Sequence, residues 1–336
     1  MSFRNGDFRS VRGRAGEAYR RRGGSTRSLR TLATADWKER AMTNSNTPLV
    51  VVGIDGSESS AHAARWAAKI ALRENIPLKL LHSVSLPSFA AASGVLFDGD
   101  FIWSIEEEGK QLVEELGAKL AEAHPGLSVE AEVRPGGSVA ALVEASRSAR
   151  MVVLGSTGKT AFTGMLVGST AVAVSHRAHC PVAVVRGQVE AAQAGPVVVG
   201  IDGSKASDLA VALAFEEASW RGAELLAVHA WMESFSDSGG VYAYPLLIDW
   251  ASIETKERAL LSEQLAGWRE KYPDVPVRTE VTRDRPNHAL LERAASAQLL
   301  VVGSRGHGEF VSTVLGSTAQ AMIYHAPCPV VIAREQ

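Results

Sequence analysis

Two segments of this chain carry glycine, serine and threonine at a spacing suited to holding a phosphate. Gly155, Gly158, Gly168 and Ser169 form one, and Gly303, Gly306, Gly316 and Ser317 the other. Both follow the pattern Gly-x-x-Gly-x9-Gly-Ser, and an apolar run precedes each. Glycine at the first two positions permits positive φ and lets backbone amides approach an anion with no Cβ in the way. Gly168-Ser169 and Gly316-Ser317 are expected at helix starts, where unpaired amides and the positive end of the helix dipole favour phosphate. The hydroxyls of Ser169, Thr170, Ser317 and Thr318 add donors. The competing reading is that these glycines only shape a turn. Asp55 and Asp202 each end an apolar run, where an α/β sheet receives ligands outside the carboxyl ends of its strands. A carboxylate there can accept hydrogen bonds from an adenine amino group or a ribose hydroxyl. It can equally make an Asx turn with Gly56 or Gly203, or cap the next helix.

The elements that must position these residues occur in duplicate. PLVVVGIDGS from Pro48 is answered by PVVVGIDGS from Pro196, and GSTGKTAFTGMLVGST from Gly155 by GSRGHGEFVSTVLGST from Gly303. Asp55 and Asp202 are 147 residues apart, and Cys180 and Cys328 are 148 apart. A period this long exceeds solenoid units of roughly 20–50 residues, so each copy is expected to be a domain with its own core. In the first copy, strands are expected at 49–54, 78–84, 129–134, 151–154 and 182–185. Ser57 should cap an Ala-rich helix that Pro77 ends. An apolar loop through Phe89, Phe97, Phe101 and Trp103 and a charged helix over 106–122 lie between the second and third strands. The second copy repeats the plan with strands at 197–201, 224–230, 275–281, 299–302 and 330–332. Apolar strands alternating with helices imply crossover connections, hence an α/β fold with a mostly parallel sheet covered on both faces. The expected divisions are a basic extension over 1–47, repeats over 48–187 and 196–334, and a linker over 188–195 short enough to keep the repeats together.

Composition narrows the function classes. The chain is 46% hydrophobic and 21% charged, with a formal net charge of −2. No apolar run approaches the ~20 residues that cross a bilayer, so no membrane partner is expected. Residues 1–41 hold 11 Arg or Lys against 4 Asp or Glu, leaving 24 basic and 33 acidic in the remainder. An acidic body argues against nucleic acid as its main partner. The basic extension has no sustained apolar period and reads as disordered. A nucleic-acid or lipid-touching arm and a transit peptide are the alternatives. Met42 directly precedes TNSNTPLVVVGIDGS, so natural translation is expected to begin at or near it. Two cysteines cannot build a disulfide framework or a cysteine-rich metal site. Cys180 and Cys328 read as buried small hydrophobes in a reducing cytoplasm, with redox sensing as the alternative.

With VVVGIDGS, LLHSVS at Leu80, LLAVHAW at Leu225, both glycine segments, CPVAVVR and CPVVIAR in place, the chain resembles a tandem universal stress protein of the ATP-binding kind. The likeness covers about residues 48–334. It implies a Rossmann-like, five-stranded parallel sheet in the order 3-2-1-4-5 in each copy, and adenine nucleotide bound between the first and fourth strands. ATP, with or without Mg²⁺, is then the implied ligand. Carried over by position, the first site would comprise Gly53, Asp55, Ser83, Gly155, Ser156, Gly158, Lys159, Gly168, Ser169 and Thr170. The second would comprise Gly200, Asp202, Ala230, Gly303, Ser304, Gly306, His307, Gly316, Ser317 and Thr318. Ser83 and Ala230 replace the small aliphatic residue common in the family, a change that a main-chain contact survives. Thr157 and Lys159 face Arg305 and His307 in the other copy, so the two sites need not be equal. The resemblance also implies that 182–185 and 330–332 pair in a pseudo-dimer within the chain; two chains can pair further.

Other readings are set aside. Gly158-Lys159-Thr160 resembles the end of a Walker A loop, but Val153 stands where that motif demands glycine. No Gly-x-Gly-x-x-Gly follows either first strand, so a nicotinamide-binding enzyme is unsupported. His82 and His229 read as packing residues, and His62, His124, His179, His288 and His325 lack ligand spacing. The leading expectation is a cytoplasmic, nucleotide-binding stress-response regulator acting on an unidentified regulatory protein. The alternatives are a slow ATPase or autophosphorylating protein with Ser169 or Ser317 as acceptor, and a scaffold with vestigial sites.

Overall fold

The computed structural model describes residues 48–84, 99–158, 167–186, 195–231, 249–306 and 315–334. The basic extension, Phe89, Phe97, Lys159, His307 and most of the linker lie outside them.

β1 (Leu49–Ile54) is followed by α1 (Glu58–Glu74), β2 (Leu78–Val84), α2 (Gly99–Ala123), β3 (Val129–Pro135), α3 (Ser138–Ala145), β4 (Ala149–Gly155), α4 (Ser169–Arg177) and β5 (Val182–Val185). The second copy runs β6 (Val197–Gly200), α5 (Lys205–Arg221), β7 (Leu225–Trp231), α6 (Trp250–Lys271), β8 (Val277–Arg283), α7 (Pro286–Ala294), β9 (Leu299–Gly303), α8 (Ser317–His325) and β10 (Val330–Ala333). Phe101 and Trp103 belong to α2 rather than to the expected loop. β8 starts at Val277, two residues later than expected. Pro276 has no N–H for a ladder and serves instead through its carbonyl, which accepts from Leu225 N at 2.8 Å.

Local chemistry sets the helix ends. Ser57 Oγ accepts from Ser60 N at 3.1 Å and Ser204 Oγ from Ser207 N at 3.2 Å, so α1 and α5 begin on capped amides. α1 ends on Asn75 in the left-handed region and α5 on Gly222 likewise. The alanines of α1 at 63, 64, 67, 68 and 71 are fully buried, since only a methyl lets the helix lie this close to the sheet.

All ten strands form one sheet in the order β3-β2-β1-β4-β5-β10-β9-β6-β7-β8. Each half has the implied 3-2-1-4-5 order with parallel neighbours, and the halves join where β5 meets β10 antiparallel, Val182 opposite Ile332 and Val184 opposite Val330. This junction leaves neither final strand with an open edge. The expectation that each copy closes its own core gives way to two shared apolar layers. One is buried beneath α1, α2, α5 and α6, the other beneath α3, α4, α7 and α8, and each draws residues from both copies. The described residues from 48 to 334 form a single compact unit.

The shared layer is reinforced by ion pairs that cross between copies. Arg73 at the end of α1 meets Glu217 of α5 at 2.8 Å, and Arg150 of β4 bridges Glu74 and Glu216, both at 3.1 Å. Arg221 completes the group with Glu217 at 3.0 Å.

Candidate functional site

β1 and β4 are neighbours, but their following helices lie on opposite faces, which opens a crevice at their carboxyl ends. The same holds for β6 and β9. Asp55 and Asp202 stand at these crevices. Asp55 Oδ1 accepts from Ser57 N at 3.0 Å and from Ser57 Oγ at 2.6 Å, and Asp202 Oδ1 from Ser204 N at 2.9 Å. The Asx-turn reading is therefore correct. The other carboxylate oxygen of each faces the glycine turn, since a Cβ on Gly158 would lie 2.9 Å from Asp55 Oδ2. A Cβ on Gly306 would overlap Asp202 Oδ2 in the same way.

The glycines divide into two groups, and the positive φ that glycine permits at the first two positions is not adopted by Gly155, Gly158, Gly303 or Gly306. That conformation belongs to Gly56 and Gly203, at 79° and 83°. Gly155 and Gly303 are glycine for packing: a Cβ would come within 2.7 Å of Ser59 C and 2.8 Å of Ala206 C, both backbone atoms of α1 and α5. Gly168 and Gly316 differ. Their φ values of −71° and −63° suit any residue, and an added Cβ would meet nothing nearer than 3.6 and 3.4 Å. Neither packing nor backbone strain requires glycine there. Neither helix that follows has a side-chain cap bond. The α4 and α8 N-termini thus contrast with those of α1 and α5.

Short backbone bonds fix the turn's two ends together. Gly168 N donates to Ser156 O at 2.7 Å and Gly316 N to Ser304 O at 2.9 Å. Ser156 and Ser304 are in turn tied to the last strands through Val185 O and Ala333 O. Ser304 is buried and does not line the crevice, so its place is behind the wall rather than in it. Thr157 O accepts from Ser57 Oγ at 3.4 Å and Arg305 O from Ser204 Oγ at 3.3 Å, joining each turn to the capped helix opposite.

In the second repeat the crevice is a cavity of about 450 Å³. Its walls bring together Gly200, Asp202, Ala230, Gly303, Gly306, Gly316, Ser317 and Thr318, all singled out from the sequence. Ile201, Val228, Pro286, Leu290, Val302 and Leu315 supply an apolar side that sequence reasoning missed, and Arg305 a cation. The repeat offset held the missing signal, because Pro286 and Leu290 are the counterparts of Ser138 and Leu142 at the start of α3. In the first repeat Ser138 Oγ reaches Thr170 Oγ1 at 3.4 Å, so the N-termini of α3 and α4 converge. A Cβ on Gly53 would strike Leu154 and Leu142, as one on Gly200 would strike Leu290. Ser83 pairs in register with Arg134 of β3.

His82 and His229 do more than pack. Nδ1 of each lies 2.7 Å from the carbonyl of Ile54 or Ile201, the residue before the aspartate, and must donate its proton. Each ring thereby fixes the strand end that presents the carboxylate. His229 Nε2 also lies 3.1 Å from Glu257, while Gly109 holds the corresponding place beside His82. Burial pushes the Cys180 and Cys328 thiols up to about 12, which removes the thiolate that redox sensing needs. Among the described residues no three His, Cys, Asp or Glu side chains gather as a metal site.

A doubly wound α/β protein with a switch point in each half, and a ligand-sized crevice at that of the second, is the class that fold and site define. Residues 48–186 and 194–334 each match the Universal stress protein family, and the chain belongs to it. Universal stress protein Rv2005c of Mycobacterium tuberculosis is 43% identical over 293 residues, covering 85% of this chain and 97% of that protein. Universal stress protein Rv2623 of the same organism is 38% identical over 305 residues, 88% of this chain and 99% of its own length. A universal stress protein from Archaeoglobus fulgidus has the same fold, with TM-score 0.64 at 22% identity over 86% of this chain and 98% of that one.

Proposed function

We propose that the chain is an adenine-nucleotide-binding regulator that holds ATP in the crevice of each repeat and changes its protein contacts with occupancy. The observation that carries this reading is the 450 Å³ cavity, which pairs an apolar wall with the uncapped start of α8 and the carboxylate of Asp202. Its size lies in the range of roughly 300–1,000 Å³ common to small-molecule sites. The apolar side suits a base plane, Asp202 suits ribose or amino-group recognition, and Arg305 with the amides of Ser317 and Thr318 suits a phosphate chain. Mg²⁺ would enter with the phosphates, Asp202 being the one acidic residue among the described residues of the wall to meet it. A cytoplasmic setting, pairing of two chains and a regulatory protein partner belong to the same proposal.

Mass spectrometry of the freshly purified, denatured protein tests it. ATP released at one or two per chain is expected. ADP together with a turnover above about 1 s⁻¹, the low end of common enzyme rates, would assign the crevice to catalysis instead. Absence of any nucleotide, with no thermal shift on adding ATP, would leave a scaffold.

A further inference from the structure

His176 stands on α4 in the first repeat, yet its ring serves the second. Leu315 N donates to His176 Nδ1 at 3.4 Å. Leu315 lines the cavity, is 4% exposed and directly precedes Gly316, the N-cap of α8. An acceptor at Nδ1 requires the neutral ring with its proton on Nε2. At the repeat offset the counterpart of His176 is Tyr324 and that of Leu315 is Val167, so the first site has no imidazole in this position.

Two arginines frame the same seam. Arg186, after β5, donates to the carbonyls of Ile323 and Tyr324 at the end of α8, the second at 3.0 Å. Arg334, after β10, donates to Ser175 O near the end of α4. Each cation meets the negative end of the other repeat's helix. The helix that opens on the second crevice is thus held by the first repeat at both ends, by His176 beside its start and by Arg186 at its finish.

We propose that His176 is a positioning residue of the second site, supplied by the first repeat: its neutral ring holds the Leu315–Gly316 turn ready for phosphate, and its protonation releases that turn. The second site therefore weakens in acid by a factor the first does not share. This rests on the reading of the crevice as a nucleotide site.

Arg334 from the end of β10 faces His176, with Arg305 of the turn after β9 next to Arg334. α8 brings Tyr324 and His325 to the seam. On its own side α4 carries Arg177, and α3, packed against α4, carries Glu144, which is exposed and paired with Arg147. Burial first, and Arg334 second, hold the imidazole below its ordinary range, so the ring is neutral near pH 7 and the change falls on the acid side.

Amide hydrogen exchange on the full chain without nucleotide, corrected for intrinsic rates between about pH 8 and pH 5, reads the turn directly. Protection at the Leu315 and Gly316 amides is expected to fall on acidification in the natural protein. It should be low at every pH in His176→Ala, and steady across the range in His176→Asn, whose side-chain oxygen accepts without titrating. Calorimetric titration with ATP should show the second site losing about five-fold more affinity than the first in acid, the worth of one hydrogen bond. That excess should vanish in His176→Asn. Equal, pH-independent protection at those two amides in the natural protein and His176→Ala would overturn the proposal, as would equal acid loss at both sites. Failure of ATP to bind at either pH would instead remove the nucleotide reading, whatever the exchange shows.

Discussion

Gly303 and Gly316 carry the same letter for different reasons, and substituting each separates folding from binding. Gly316→Ala leaves φ unstrained, and its Cβ meets Arg305 Cα at 3.4 Å, so it should cost stability at most about 1 kcal/mol as a poorer cap. Its methyl sits where an anion would seat, and ATP affinity at the second site should fall at least ten-fold by isothermal titration. Gly303→Ala drives its Cβ into the α5 backbone and should lower the melting temperature before any binding is measured. If Gly316→Ala binds ATP normally, the turn is not the phosphate seat. Asp202→Ala should weaken the same site about ten-fold, the loss of a hydrogen bond to a charged group, while Asp55→Ala weakens the first. The spacing of the glycines was legible in the sequence. Which of them packing demands was not, because that depends on how closely α1 and α5 approach β4 and β9.

At the scale of elements, the ends of α1 and α5 show what binds the copies to each other. Arg73, Glu74 and Arg150 of the first copy correspond to Trp220, Arg221 and Gln298 of the second, so the charges are not repeated. They complement across the seam instead, and Arg73 also lies 4.7 Å over the Trp220 ring. Burial opposes the charge on Glu217, but Arg73 and Arg221 more than offset it and hold this carboxyl below its usual range. A depressed carboxyl contributes stability that is full above the ordinary carboxylate range and is lost as pH falls through the lower folded value. Glu216 runs the other way: burial raises it despite Arg150, and its contribution declines as pH rises through the raised value. Glu217→Gln removes the carboxylate that Arg73 and Arg221 share, leaving Arg73 only Glu74 and Arg221 only the neutral Gln298 among the described residues, and should cost about 3 kcal/mol at pH 7 by urea unfolding. That difference should shrink in acid; a loss below 1 kcal/mol at pH 7 would show the pairs to be dispensable. The alternation of strands and helices could be read from the apolar runs, and α1 from its alanines and Ser57. The start of α2 could not, because Phe101 and Trp103 are as compatible with an apolar loop as with a helix.

For the molecule as a whole, a single sheet of ten strands with apolar layers common to both copies should open as one unit. Each copy holds its own reporter, since Cys180 and Cys328 are buried on the layer beneath α3, α4, α7 and α8, with thiols pushed up to about 12. Alkylation at pH 8 should be slow for both in the folded protein and should rise at the same urea concentration for each, read by peptide mass spectrometry. Labelling of one cysteine well before the other would mean that the copies unfold separately. The duplication, the alternating α/β plan, the strand-end aspartates and the glycine turns at helix starts can all be read from the chain, because each is local and depends on residue type, spacing and period. Folding in three dimensions was needed to show that β5 and β10 merge two sheets into one, that Arg186 and Arg334 exchange helix ends, and that His176 reaches Leu315. Those contacts join residues about 140–160 positions apart, and no local preference of the chain encodes which side chains a two-fold arrangement of repeats brings to its seam.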